Sequence, residues 1–89
     1  MDTRVAVISI IVSDNSKTEE LNALLHKAAA YIVMRTGIPY RERGISIICV
    51  AIDAPQDIIS ALAGGIGRIK GITSRTVYSN VITHQEGET

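Results

Sequence analysis

The stretch ISIICVAI, residues 45–52, decides the fold. It is short, rich in β-branched side chains and apolar on both alternations of an extended chain, so it predicts a strand rather than a helix. A strand greasy on both faces lies in the middle of a sheet and is covered on both sides. Working outward, Arg41-Glu42-Arg43-Gly44 just before it forms a polar turn, with Gly44 free to adopt positive φ. Further upstream, residues 31–40 begin with the β-prone Tyr31-Ile32-Val33 and contain Gly37 and Pro39, which break helices. Proline is tolerated in a sheet at an edge or bulge, so this stretch predicts an irregular edge strand. Downstream, Asp53 is placed to cap a helix and Pro55 suits its first turn. Ile58, Leu62 and Ile66 follow at four-residue spacing, and that helix is expected to end among Gly64, Gly65 and Gly67.

The outer segments repeat the pattern. Residues 4–12, RVAVISIIV, place Val5, Val7 and Ile11 on one face and Ala6, Ile8, Ile10 and Val12 on the other, which predicts a second central strand. Ser13-Asp14-Asn15-Ser16 is a turn cluster, and Ser16 with Glu19 fits a capping box. Leu21, Leu24, Leu25, Ala28, Ala29 and Ile32 recur at helical spacing, predicting a helix over residues 17–30. Gly71 opens a last strand over residues 72–81, and residues 84–89 are expected to be a flexible C-terminal tail. The order is βαββαβ, and right-handed crossovers put both helices on one side of the sheet. The predicted class is α+β, a ferredoxin-like sandwich of a four-stranded antiparallel sheet with two helices on one face, in a single domain over residues 1–83.

Composition narrows the functions. With 89 residues, 46% hydrophobic, and neither Trp nor Phe, the core must be Ile, Val, Leu and Ala. A domain this small is marginally stable alone, and self-association is one remedy. The uncovered sheet face predicts a homo-oligomer, dimer or tetramer, with Val7, Ile11, Ile47 and Cys49 in the contact. Nine basic residues balance nine acidic ones, so direct DNA binding by one chain is not expected. Arg41, Arg43 and Arg75 are the residues that would supply a basic patch in an assembly. No apolar run is long enough to span a bilayer and no signal peptide is evident, which predicts a cytoplasmic protein with no membrane contact.

The chemistry-bearing residues are sparse. Cys49 stands among Ile and Val and reads as a small hydrophobe, since a redox or metal role needs neighbouring ligands or an activating cation. His26 and His84 are far apart, so no metal site and no cofactor are predicted. Gly64-Gly65-Ile66-Gly67 sits at a helix end and fails the context of a phosphate-cradling loop. Arg41 and Arg43 could capture an anion as bidentate donors, against the simpler reading of a solvated turn. Asp53, Asp57 and Ser60 cluster at the second helix start, where capping and the helix dipole already account for the acids. No nucleophile–base set is present in any motif, so no catalysis is expected.

The segments GIPYRERGISII (Gly37 to Ile48), IDAPQDIISALAGGIG (Ile52 to Gly67) and GITSRTVYS (Gly71 to Ser79) resemble the iron-only hydrogenase system regulators. That family is similar in fold to ACT domains and to the C-terminal sensor domain of the nickel-responsive repressor. The resemblance implies a non-catalytic, oligomeric sensor or transcriptional regulator linked to the iron-only hydrogenase system, binding a small ligand at a subunit junction. By that analogy Asp53, Asp57 and Ser60, at the loop-to-helix junction, join Arg41 and Arg43 as the ligand-contact candidates. This chain departs from those relatives in two places. Ser13 to Ser16 stands where ACT domains have a glycine-rich loop, and Cys49 is alone where the nickel sensor clusters His and Cys. The alternative expectation is an adaptor that binds another protein through its sheet.

Overall fold

A computed structural model describes residues 2–84, with side-chain detail to residue 80. Six main elements follow in order: β1 (Asp2–Val12), α1 (Thr18–Lys27), β2 (Ile32–Tyr40), β3 (Ile45–Ala54), α2 (Gln56–Gly67) and β4 (Ile72–His84). Single 3-10 turns at Asn15–Lys17, Ala29–Tyr31 and Arg41–Arg43 join them. The strands form one antiparallel sheet in the order β2-β3-β1-β4, so the two doubly apolar strands are central, as their composition requires. Ile8 pairs with Val50 and Ile10 with Ile48, which fixes the side on which each apolar set lies.

One set faces the helices. Ala6, Ile8, Ile10 and Val12 of β1 and Ile48, Val50, Ile52 and Ala54 of β3 are buried against Leu21 and Leu25 of α1 and Ile59, Leu62 and Ile66 of α2. Each large aliphatic side chain removed from water there contributes about 1.5–3 kcal/mol before entropy is counted. The other alternation of the same strands carries no helix. The expectation of cover on both sides is therefore met on one side only within a single chain.

Three local expectations are corrected. No Ser16–Glu19 box forms: Asp14 caps the 3-10 turn that leads into α1, its carboxylate accepting from the Ser16 amide at 3.0 Å and from Ser16 Oγ at 2.7 Å, and α1 itself has no side-chain cap. The chain makes a 3-10 turn before the helix, which moves the cap two residues back. Asp53 does not cap α2, because β3 continues pairing through Asp53 and Ala54 with Val5 and Arg4 of β1. Pro55 takes the capping position and no side chain caps the helix. The predicted tail loses its first residue, since His84 pairs with Asp2 as the end of β4. Strand β1 starts earlier than its apolar run and so offers β4 more partners. The rest of the expected tail, residues 85–89, lies outside the described residues.

Glycine is required where β4 begins. Gly71 has φ 85°, and a Cβ there would fall 2.6 Å from the Asp14 Cβ. The Gly71 carbonyl also accepts from the Ser13 amide at 2.7 Å and from Ser13 Oγ at 2.9 Å. This contact ties the end of β1 to the start of β4.

Candidate functional site

The helix-free sheet face is the largest feature that the fold leaves unexplained. Register alone defines it: Val7, Ser9 and Ile11 of β1 stand opposite Ala51, Cys49 and Ile47 of β3. Met34, Thr36 and Ile38 of β2 continue those rows on one side. Val77, Arg75 and Thr73 of β4 continue them on the other. Ile11, Ile38, Ile47 and Val77 are 43%, 62%, 42% and 66% exposed, values far above those of the core on the opposite face. All four residues expected in a subunit contact, Val7, Ile11, Ile47 and Cys49, share this face. Cys49 is half-buried and unbonded, near the middle of the sheet.

The five ligand candidates do not converge in one chain. Arg41 and Arg43 are exposed in the 3-10 turn that starts β3, which Gly44 closes at φ 68°. Asp53, Asp57 and Ser60 lie at the other end of that strand, roughly 25 Å away at about 3.3 Å per residue. Asp57 is exposed in the first turn of α2, where the helix dipole favours an acid. Asp53 points to the helix-free face, its place in the alternation with Cys49 and Ala51, and its Oδ1 is buried without a hydrogen-bond partner. Charge on that face is therefore both signs: Arg75 in the middle row of β4 and Asp53 near one end.

Ser60 belongs to a network that composition and spacing did not reveal. Gln56 Nε2 donates to Ser60 Oγ and to the Tyr78 hydroxyl, both at 3.0 Å. Gln56 Oε1 in turn accepts from Arg4 Nη1 at 2.9 Å, and the Arg4 guanidinium lies 4.5 Å from the Tyr78 ring centroid. Arg4 falls on the helix side of β1, so its charge must find neutral acceptors and an aromatic face there. The signal available in the sequence was a lone Arg beginning an apolar strand. Its partners were not legible because they depend on the register of β1 with β4, where Ala6 pairs with Tyr78 and a bulge leaves residues 79–81 facing Val5 alone.

The two helices leave an apolar furrow of about 250 Å³ between Leu24, Ala28, Ile58, Ala61 and Leu62, rimmed by Lys27. Gly65 permits this close approach, since a Cβ there would meet Leu24 at 3.2 Å. Among the described residues, no three His, Cys, Asp or Glu side chains come together as a metal site. Nor is any helix among them long and apolar enough to cross a membrane.

Comparison with known proteins follows the same architecture. Residues 4–76 match the TM1266-like family model, described as "Iron-only hydrogenase system regulator, putative". The solved structure of TM1266 from Thermotoga maritima is 32% identical and superposes with a TM-score of 0.82, covering 85% of this chain and 96% of that one. CPII, a nitrogen regulatory PII-like protein from Thiomonas intermedia K12, matches at TM-score 0.61 and 14% identity over 94% of this chain and 98% of its own. CPII has also been solved bound to ADP, AMP and bicarbonate. A formyltetrahydrofolate deformylase from Pseudomonas putida KT2440 matches at TM-score 0.64 and 16% identity, over 86% of this chain but 29% of that one. At such identities the last two share the fold alone. No curated protein matches the chain.

Proposed function

The chain belongs to the TM1266-like family of iron-only hydrogenase system regulators, and from that membership we propose a non-catalytic regulatory domain that works as an assembly of its own copies. The copies meet through the helix-free sheet face, and a small ligand is taken up where they join. The observation that carries this reading is the exposure of Ile11, Ile47 and Ile38 in one row of the helix-free face and of Met34 and Val77 in another. A monomer rarely leaves so many large apolar side chains on one sheet face in water. Arg75 and Asp53 give the face one cation and one anion among its described side chains, which suits contact with an identical face.

A ligand at the junction would draw Arg41 and Arg43 from one copy and Asp53, Asp57 and Ser60 from another, since one chain holds them at opposite ends. CPII, with the same fold, binds adenine nucleotides, which makes small-molecule sensing a natural use of it. Regulation would run through a protein partner in the cytoplasm rather than through direct DNA contact, because the formal net charge is zero. The second reading, an adaptor that docks another protein, draws on β2, an edge strand exposed over almost its whole length.

Light scattering across a dilution series decides between them. A dimer or tetramer that persists at micromolar concentration supports self-assembly. A strict monomer there would sink it and favour the adaptor.

A further inference from the structure

On the helix side of the sheet, α1 overhangs the edge strand and leaves a groove of about 400 Å³ between Asn22, Leu25, His26, Ala29, Ile32 and Arg35. The spacing of the first four, i, i+3, i+4 and i+7, puts them along one side of α1 and the turn that follows it. Arg35 enters from β2 because it stands opposite Val50, on the alternation that faces the helices. The floor is aliphatic: Leu25 is buried, Ile32 is half-buried and Ala29 is small. The rim is polar and carries one full positive charge.

That charge is held in place, and no described side chain neutralises it. Arg35 Nη2 donates to Asn22 Oδ1 at 2.6 Å, which uses one of its five N–H groups. No described carboxylate lies within ion-pair distance of Arg35. A guanidinium oriented in advance by a neutral amide loses less entropy on meeting a ligand and presents its fork to a carboxylate. The described lining residues include no acid, so an ammonium group would find no counter-charge among them. Its size falls in the usual range of small-molecule sites, roughly 300–1,000 Å³.

We propose that this groove binds a small carboxylate with an aliphatic body and no ammonium group. The carboxylate sits on the free N–H groups of Arg35, the aliphatic body lies on Leu25, Ala29 and Ile32, and His26 closes the rim. The site belongs to one chain and lies on the opposite side of the sheet from the apolar face, so it stands or falls independently of self-assembly.

Titration calorimetry of the full chain with 4-methyl-2-oxopentanoate and with leucine tests it. Saturable binding of the oxo acid at one site per chain is expected, with leucine at least roughly tenfold weaker. Arg35→Met should weaken oxo-acid binding at least roughly tenfold, the usual consequence of losing a charge-assisted pair. Ala29→Leu fills the groove while leaving the Arg35–Asn22 pair intact, and it should also abolish binding with the fold unchanged by circular dichroism. Absence of saturable binding at millimolar oxo acid would overturn the proposal. So would leucine binding equally well, or either folded variant binding like the parent chain.

Discussion

The Cβ of Asp14 lies 2.6 Å from the point where a side chain at Gly71 would begin. The residue that caps the 3-10 turn before α1 is thus packed against the glycine that opens β4, 57 positions later in the sequence. Gly71→Ala must both adopt φ 85° and displace Asp14. We expect a loss of about 1–3 kcal/mol by urea unfolding. Gly44→Ala, at φ 68° but with no atom within 4 Å, should lose less and serves as the control for backbone strain alone.

Acid should loosen the same corner. The Asp14 carboxyl is held below its ordinary range, first by the Ser16 hydroxyl, then by the Ser16 amide, with a smaller contribution from Lys17. A depressed folded-state value means that this support is present above the unfolded-state value of about 3.9 and fades as pH falls through the folded one. Asp14→Ala should therefore melt below the parent chain at neutral pH, with the two melting curves approaching each other under acid conditions. A gap that stays constant down to low pH would show that the carboxylate charge is not responsible.

Neighbouring glycines of α2 should respond oppositely. A Cβ at Gly64 meets only Arg68 Nη1 at 3.6 Å, ordinary contact with a flexible tip, whereas one at Gly65 presses on Leu24 at 3.2 Å. Gly64→Ala should stabilise by about 0.5–1 kcal/mol through helix propensity. Gly65→Ala should gain less, or lose stability, because Leu24 has to move. Thermal melts of both variants measure the difference.

Ile47→Arg places a charge in the middle of the helix-free face without touching the core. If copies join there, the variant should run as a monomer in light scattering while keeping its circular dichroism. An unchanged assembly would move the interface to another surface.

Tyr78→Phe removes one of the two acceptors of Gln56 Nε2 but keeps the ring beneath Arg4. The expected loss is about 0.5–1.5 kcal/mol, typical of one hydrogen bond. Arg4→Met should remove both the hydrogen bond to Gln56 and the ring contact. A denaturant titration that separates neither variant from the parent chain would count against a cooperative network.

The architecture was readable because its signals are local. RVAVISIIV and ISIICVAI are apolar on both alternations, and only central strands of this topology accommodate that. Pro39 and Gly37 likewise placed β2 at the edge. What escaped depended on offsets between distant segments. Asp53 looks like a cap until β1 is seen to hold β3 for two residues more, and Arg4 meets Tyr78 only once β1 and β4 are paired with Ala6 opposite Tyr78. The Arg35 groove was invisible for a related reason. Asn22 and Arg35 are 13 positions apart, and only the turn between α1 and β2 folds them together.

The two edges of the sheet are unequal, and that governs how far it can grow sideways. Strand β2 contains a proline that offers no amide hydrogen, and its pairing with β3 is irregular between Ile32 and Met34. Strand β4 is 13 residues long and free of proline. A head-to-tail ribbon would need both edges and could lengthen without limit; here one end is blunt. Lateral joining is therefore disfavoured along the Pro39 end of β2 and easier along β4, and a β4-against-β4 pairing closes after a single step.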